Sequence, residues 1–278
     1  MVVLRVCLVL FVAIWMDLNL CLGQMIVAHR GASFDAPENT LAAFELAWQQ
    51  GSDGVEGDFY LTADGKIVCI HDRDTQRTGG QKLAVEQSTL SQLRSLEYGG
   101  WKDAKYKGEP IPTFEQVLKT VPDGKTFVIE LKSKKAIVPV LAAELKRLQT
   151  DSIELLIISF DQETVTACKQ LMPAIRVHWL TSFDNKKNPT VYEPTAEQVA
   201  STVHRVGADG VGMKGNRAVV DAEFVDDLVE SGCPEFHVWT VDAINDAEFF
   251  QGLGVVGITT NRPGEIRNAI RLAPALAR

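Results

Sequence analysis

Seven side chains capable of acid–base, metal or phosphate chemistry stand at or near the ends of short apolar runs in the first half of this chain. They are His29, Arg30, Glu56, Asp58, His71, Glu130 and Lys132. Residues i and i+2 of a strand point to the same side, so Glu56 and Asp58 can reach one point, and Glu130 and Lys132 repeat that spacing. Three converging carboxylates repel one another, and a hard divalent cation relieves the repulsion. All-oxygen ligation suits Mg2+ or Ca2+ better than Zn2+. Imidazole titrates near neutral pH, which makes His29 and His71 candidates for general acid and base. Arg30 can clamp a phosphate through two N–H groups, or instead pair with Glu38. A metal, an arginine and two histidines together point to phosphoryl chemistry, in which charge on the phosphate oxygens is stabilised while protons move between nucleophile and leaving group. Any one of these acids alone reads as an ion pair or a loop contact. Three of them beside two histidines read as a site.

Such a set needs a scaffold that gathers strand ends. Short β-rich runs occur at 26–29, 54–59, 126–131, 155–159, 175–180, 210–213, 237–241 and 255–259. Amphipathic stretches with helical spacing follow at 40–50, 114–120, 138–148, 163–171, 196–206, 221–231, 246–253 and 264–272. Alternation of this kind implies parallel strands with helical crossovers. Eight units in about 250 residues match an α/β (β/α)8 TIM barrel, whose active sites lie at the C-terminal ends of the strands. A doubly wound open sheet is the competing fold, but no Gly-rich phosphate loop follows the first strand. The rhythm breaks after Asp58. Residues 62–66 read as a turn and 66–71 as a returning strand. Residues 73–112 read as a polar insertion after the second strand, over the barrel mouth, with one helical stretch near 90–96.

Composition narrows the partners. The formal net charge is −8 over 278 residues and no long basic run occurs, which argues against a nucleic-acid partner. Residues 6–16 form an apolar run of 11, too short to span a bilayer, with Arg5 before it and Gly23 after it. Residues 1–24 are therefore expected to be a secretory signal or an N-terminal extension, with 25–278 forming the barrel. Asp17 interrupts the apolar region, and Met25 is the alternative start. The first reading places the protein outside the cytoplasm, periplasmic or secreted; the second leaves it cytoplasmic. No other segment reads as transmembrane, and no stable membrane insertion is expected. Cys69, Cys168 and Cys233 show no CxxC spacing and read as small core residues.

A resemblance sharpens this reading. His29-Arg30-Gly31, Pro37-Glu38-Asn39-Thr40, Glu56-Gly57-Asp58, His71-Asp72, Ile111-Pro112-Thr113-Phe114, Glu130-Leu131-Lys132, Ser159-Phe160 and Val238-Trp239-Thr240-Val241 resemble, in order, the glycerophosphodiester phosphodiesterase family. The resemblance runs from Met25 to about Arg267. It implies a TIM barrel with a small insertion after the second strand. It implies metal-dependent cleavage of a small-molecule glycerophosphodiester to glycerol 3-phosphate and an alcohol, with a neighbouring glycerol hydroxyl as first nucleophile through a cyclic phosphate. On this basis Glu56, Asp58 and Glu130 hold one divalent cation, Mg2+ or Ca2+, and His29 and His71 are the general acid and base. Arg30 and Lys132 contact the phosphate, while Phe160 and Trp239 line the glycerol and leaving-group side; core packing is the alternative for both aromatics.

Two positions depart from the family pattern. Asp242 stands where Asn is frequent, and Asn261 where Asp is usual. Asp242 is expected to add negative charge near the mouth and alter leaving-group preference, and Asn261 to make a turn or cap. Two other functions stay open. A phospholipase D or lysophospholipase D-like barrel would need an exposed apolar rim near residues 73–112. A non-catalytic phosphate-ligand-binding module would not need both histidines and all three acids.

Overall fold

The computed structural model describes residues 24–183 and 192–272; apart from Gln24, the expected leader lies outside them. Eight parallel strands close into a barrel: β1 (Met25–His29), β2 (Gly54–Leu61), β4 (Thr126–Leu131), β5 (Glu154–Ser159), β6 (Arg176–Thr181), β7 (Gly210–Lys214), β8 (Phe236–Trp239) and β9 (Gly257–Thr260). Strand β1 pairs with both β9 and β2, which completes the ring. The short β3 (Ile67–Cys69) returns antiparallel to the end of β2.

Val, Ile, Leu and Phe dominate β4 and β5 and recur in the other strands, and both faces of the sheet are covered. Inward positions Val27, Val128, Leu156, Ile158 and Leu180 pack inside the barrel. Outward positions such as Val55, Phe59, Phe127, Ile129 and Ile157 form the larger layer beneath the helices. Within it Phe59 meets Phe114 and Phe127 edge-on, at 5.3 and 5.7 Å between centroids. Truncating such a buried ring costs about 3–5 kcal/mol.

The crossover helices are α1 (Leu41–Gln49), α4 (Phe114–Leu118), α5 (Val138–Leu148), α6 (Gln162–Leu171), α7 (Ala196–Val206), α8 (Ala222–Glu230), α9 (Ile244–Gly252) and α10 (Pro263–Leu272). Their starts are written in the sequence. Thr113 and Thr195 make capping boxes with Gln116 and Gln198, and Asp161 and Asp221 cap α6 and α8.

The excursion at 73–112 contains two α-helical turns, α2 (Gln76–Gly79) and α3 (Leu90–Leu93), and two 3-10 turns, Val85–Gln87 and Ala104–Tyr106. The expected helix at 90–96 is thus one turn, and α2 had no periodic signal. The excursion is not simply polar. Val85, Leu93, Tyr98 and Ile111 join Tyr60, Val68 and Ile70 in a small second core.

Candidate active site

Register builds the site. His29 of β1 lies beside Glu56 of β2, and Asp58 lies beside Glu130 of β4. Glu56, Asp58 and Glu130 each offer an oxygen, and these oxygens lie within 4.8 Å of one another. A cavity of about 160 Å3 opens above them. His29, Arg30, Glu56, His71, Glu130, Lys132, Phe160 and Trp239 all line it. Asp58 is fully buried and reaches the others from beneath. The structure therefore brings together all nine residues singled out from the sequence. Phe160 and Trp239 are not core residues alone: their rings meet edge-on at 5.4 Å, and Phe160 is 46% exposed.

The chain is bent to reach this arrangement. Arg30 and Asn39, neither of them glycine, have φ of 58°. Such outliers persist where surrounding contacts hold them, often at functional sites. Here the Asn39 N–H donates to Arg30 O at 3.0 Å. Gly31 follows at φ 79°, and a Cβ there would lie 2.5 Å from the Ala43 carbonyl carbon, so no other residue fits without a shift.

Two cations answer the acids. Arg30 Nη1 donates to Glu38 at 2.9 Å, its Nε lies 3.1 Å from Asp58, and its backbone N–H donates to Glu56 at 3.0 Å. The ion pair with Glu38 is thus real and coexists with a position on the cavity wall. Lys132 Nζ lies 2.7 Å from Glu130 and 3.4 Å from Asp58. Burial works against the Lys132 ammonium, but the Asp58 and Glu130 carboxylates outweigh it and hold the pKa above its ordinary value. Burial would raise Asp58, yet Arg30 and Lys132 pull it below the usual carboxylate range.

Glu56 and Glu130 go the other way. Burial first, then the neighbouring acids, push Glu56 well up and Glu130 to about 7. The negative charge exceeds what Arg30 and Lys132 neutralise. Glu56 Oε1 is also buried without a hydrogen-bond partner, and Asp58 Oδ1 has only Lys132 Nζ at 3.4 Å. An orphaned Glu56 oxygen, excess negative charge and an all-oxygen donor set fit a hard divalent cation, which would reverse both upward shifts.

The histidines are held differently. His29 Nδ1 is 2.7 Å from Asn261 Oδ1, whereas His71 Nδ1 is 2.7 Å from the Asp72 carboxylate. Burial and the Arg30 charge lower the His29 pKa to about 4, against the pull of the Asn261 bond. Behind His71, Asp72 bonds Arg77, and Arg77 bonds Glu38 through both terminal nitrogens at 2.6 and 2.8 Å. Asn39 Nδ2 donates to Asp58 at 2.9 Å.

Arg77 and the bonding roles of Asn39, Asp72 and Asn261 were not anticipated from the sequence. Asn39 and Asp72 lay inside the quoted motifs, but nothing local marked their partners. Arg77 belongs to the polar insertion over the barrel mouth, where no local pattern singles it out. The structure places the two departures in contact with each other. Asp242 is bonded to Thr260 and Asn261. The Asn261 side chain serves His29 and Ser33 instead of capping α10.

A closed parallel barrel with acids, cations and histidines at the C-terminal mouth defines an α/β-barrel hydrolase of phosphoric esters. The chain matches the model of the Glycerophosphoryl diester phosphodiesterase family over residues 29–265, and it belongs to that family. It is 30% identical to a glycerophosphodiester phosphodiesterase of Caldanaerobacter subterraneus, over 89% of this chain and 98% of that one. Its fold is similar to an Oleispira antarctica phosphodiesterase in complex with the product sn-glycerol-3-phosphate, with TM-score 0.78, 27% identity and coverage of 89% and 96%. It is also similar to a glycerophosphodiester phosphodiesterase of Agrobacterium tumefaciens, with TM-score 0.69, 25% identity and coverage of 88% and 100%.

Proposed function

We propose that this enzyme hydrolyses small glycerophosphodiesters to sn-glycerol 3-phosphate and an alcohol, in a reaction that requires one divalent cation, Mg2+ or Ca2+. The observation that carries the reading is the acidic triad, with Glu56 Oε1 buried and unpartnered, under a cavity walled by both histidines, Arg30 and Lys132. The product bound by the Oleispira antarctica relative supports the same substrate class.

Glu56, Asp58 and Glu130 hold the cation, which when bound supplies positive charge to the phosphate. Arg30 and Lys132 bind the phosphate oxygens from the wall. One histidine takes the proton of the attacking glycerol hydroxyl as its oxygen bonds to phosphorus; the other donates a proton to the departing alcohol oxygen as the P–O bond breaks, and water then opens the cyclic phosphate to sn-glycerol 3-phosphate with the two proton roles reversed. The Phe160–Trp239 pair shields the organic side from water. Arg77 holds Asp72 and Glu38 in place and so fixes His71 and Arg30 together.

One observation favours a lysolipid substrate instead. Phe34 and Trp101 are 50% and 42% exposed, and Lys102 beside Trp101 bonds Ser33 O beside Phe34. Competing glycerophosphocholine against lysophosphatidylcholine separates the readings. We expect glycerophosphocholine to win by at least about tenfold in kcat/KM, a difference of about 1.4 kcal/mol in transition-state binding. Preference for the lysolipid would transfer the assignment to a lysophospholipase D.

A further inference from the structure

The loops after β1, β8 and β9 meet at a polar pair outside the acidic triad. Asp242 Oδ1 accepts hydrogen bonds from the Asn261 N–H at 2.7 Å and from Thr260 Oγ1 at 2.9 Å. Asp242 Oδ2 accepts from Asn261 Nδ2 at 2.6 Å. The Asn261 oxygen faces the other way, 2.7 Å from His29 Nδ1, and accepts from Ser33 Oγ at 2.8 Å.

An amide is oriented by its neighbours, since its two ends have nearly the same shape. Turned over, Asn261 would set its oxygen against the Asp242 carboxylate, two acceptors with no proton between them. The carboxylate therefore takes the amide nitrogen, and the oxygen is left for His29. An amide oxygen only accepts, so Nδ1 of His29 must carry a proton. In the neutral ring Nε2 is then the unprotonated nitrogen.

We propose that Asp242 and Asn261 are a positioning pair that sets the His29 tautomer, so that the neutral ring offers Nε2 as proton acceptor. This rests on the reading of His29 as a proton-transfer residue. The anion stays one residue removed from His29: the ring gains orientation without a directly bonded carboxylate, whereas His71 has one in Asp72. The pair also accounts for both departures from the family pattern. Asp242 and Asn261 touch, so the two changes amount to one exchange of carboxylate and amide.

Nitrogen-15 NMR of the histidine-labelled, metal-free protein at pH 8 reads the tautomer directly, with His29 assigned through His29→Gln. We expect Nδ1 protonated and Nε2 unprotonated. Asp242→Asn frees the amide to turn, giving a mixed tautomer and a kcat for glycerophosphocholine lower by about 10–100-fold, with KM within about twofold. Asn261→Asp alone opposes two carboxylates and loses at least as much. The exchange variant, Asp242→Asn with Asn261→Asp, restores one amide–carboxylate pair and recovers most of the activity. Wild-type His29 protonated at Nε2 overturns the proposal without recourse to any variant's folding. So does a folded Asp242→Asn protein with unchanged tautomer and kcat. A wild-type protein with the expected tautomer but no turnover of any glycerophosphodiester would instead overturn the functional reading.

Discussion

Among the described residues the barrel holds two clusters of ionisable side chains, the lower built on buried His178 and His237, with His237 also lining the cavity, and they differ in how far their members satisfy one another. In the lower one His178 and His237 stack, with Nδ1 atoms 2.9 Å apart, and His178 Nε2 lies 3.0 Å from Glu235. Arg176 closes the set by donating to Glu235 at 2.8 Å. Gly212 makes room for it, since a Cβ there would lie 2.4 Å from His237 Nε2. In the upper cluster three acids outnumber two cations, Glu56 Oε1 has no hydrogen-bond partner, and Asp58 Oδ1 has only Lys132 Nζ at 3.4 Å. Both clusters carry the residue types of a catalytic site. Buried polar groups that satisfy one another can be structure; buried oxygens left over call for a ligand.

This contrast can be broken most severely at the acids. Glu56→Gln removes a charged donor from the upper cluster, and kcat/KM should fall at least about 10³-fold, equivalent to about 4 kcal/mol of transition-state stabilisation. Calorimetric titration with Mg2+ or Ca2+ should show weakened binding in the same variant. An unchanged midpoint would remove Glu56 from the ligand set. Next comes His71→Ala, for which we expect kcat lower by about 10²–10⁴-fold with metal binding and circular dichroism retained. Near-normal turnover would exclude His71 from proton transfer. Arg77→Ala should lower kcat/KM by about tenfold, since Asp72 and Glu38 lose their common partner, while stability changes by less than about 1 kcal/mol.

The smallest effect belongs to the lower cluster. Glu235→Gln should leave turnover within about twofold and cost roughly 1 kcal/mol of stability. Its pH dependence has a definite sign. The His178 hydrogen bond, helped by Arg176, holds the Glu235 pKa below its ordinary value. The wild-type advantage is then full above the unfolded carboxylate pKa of about 4.3 and is lost as pH falls through the lower folded value. Denaturant unfolding of both proteins from pH 7 to pH 3 checks this: the gap should close toward acid. A gap that widens toward acid, or a variant without activity, would mean that the lower cluster is more than structural.

What could be read from the sequence follows the range of the interactions involved. All eight barrel strands were found because buried Val, Ile and Leu runs are local signals, and the capping threonines and aspartates mark several helix starts. The i, i+2 spacing placed Glu56 with Asp58 because a strand fixes side-chain direction. Partners across the barrel were out of reach. Asn261 meets His29 from 232 residues away, and Arg77 meets Glu38 from 39. Periodicity reports that a side chain is buried; it does not report which loop arrives opposite. The core of Val85, Leu93, Tyr98 and Ile111 escaped for a related reason, since its members are scattered among polar residues with no regular period.

The most direct test of the account is phosphorus-31 NMR of glycerophosphocholine with EDTA-stripped protein, followed by readdition of Mg2+ or Ca2+. We predict no conversion by the stripped enzyme and restored release of sn-glycerol 3-phosphate with at least one of the two ions. Full turnover by the stripped protein would contradict the claim that the incomplete acidic cluster is a metal site on which the chemistry depends.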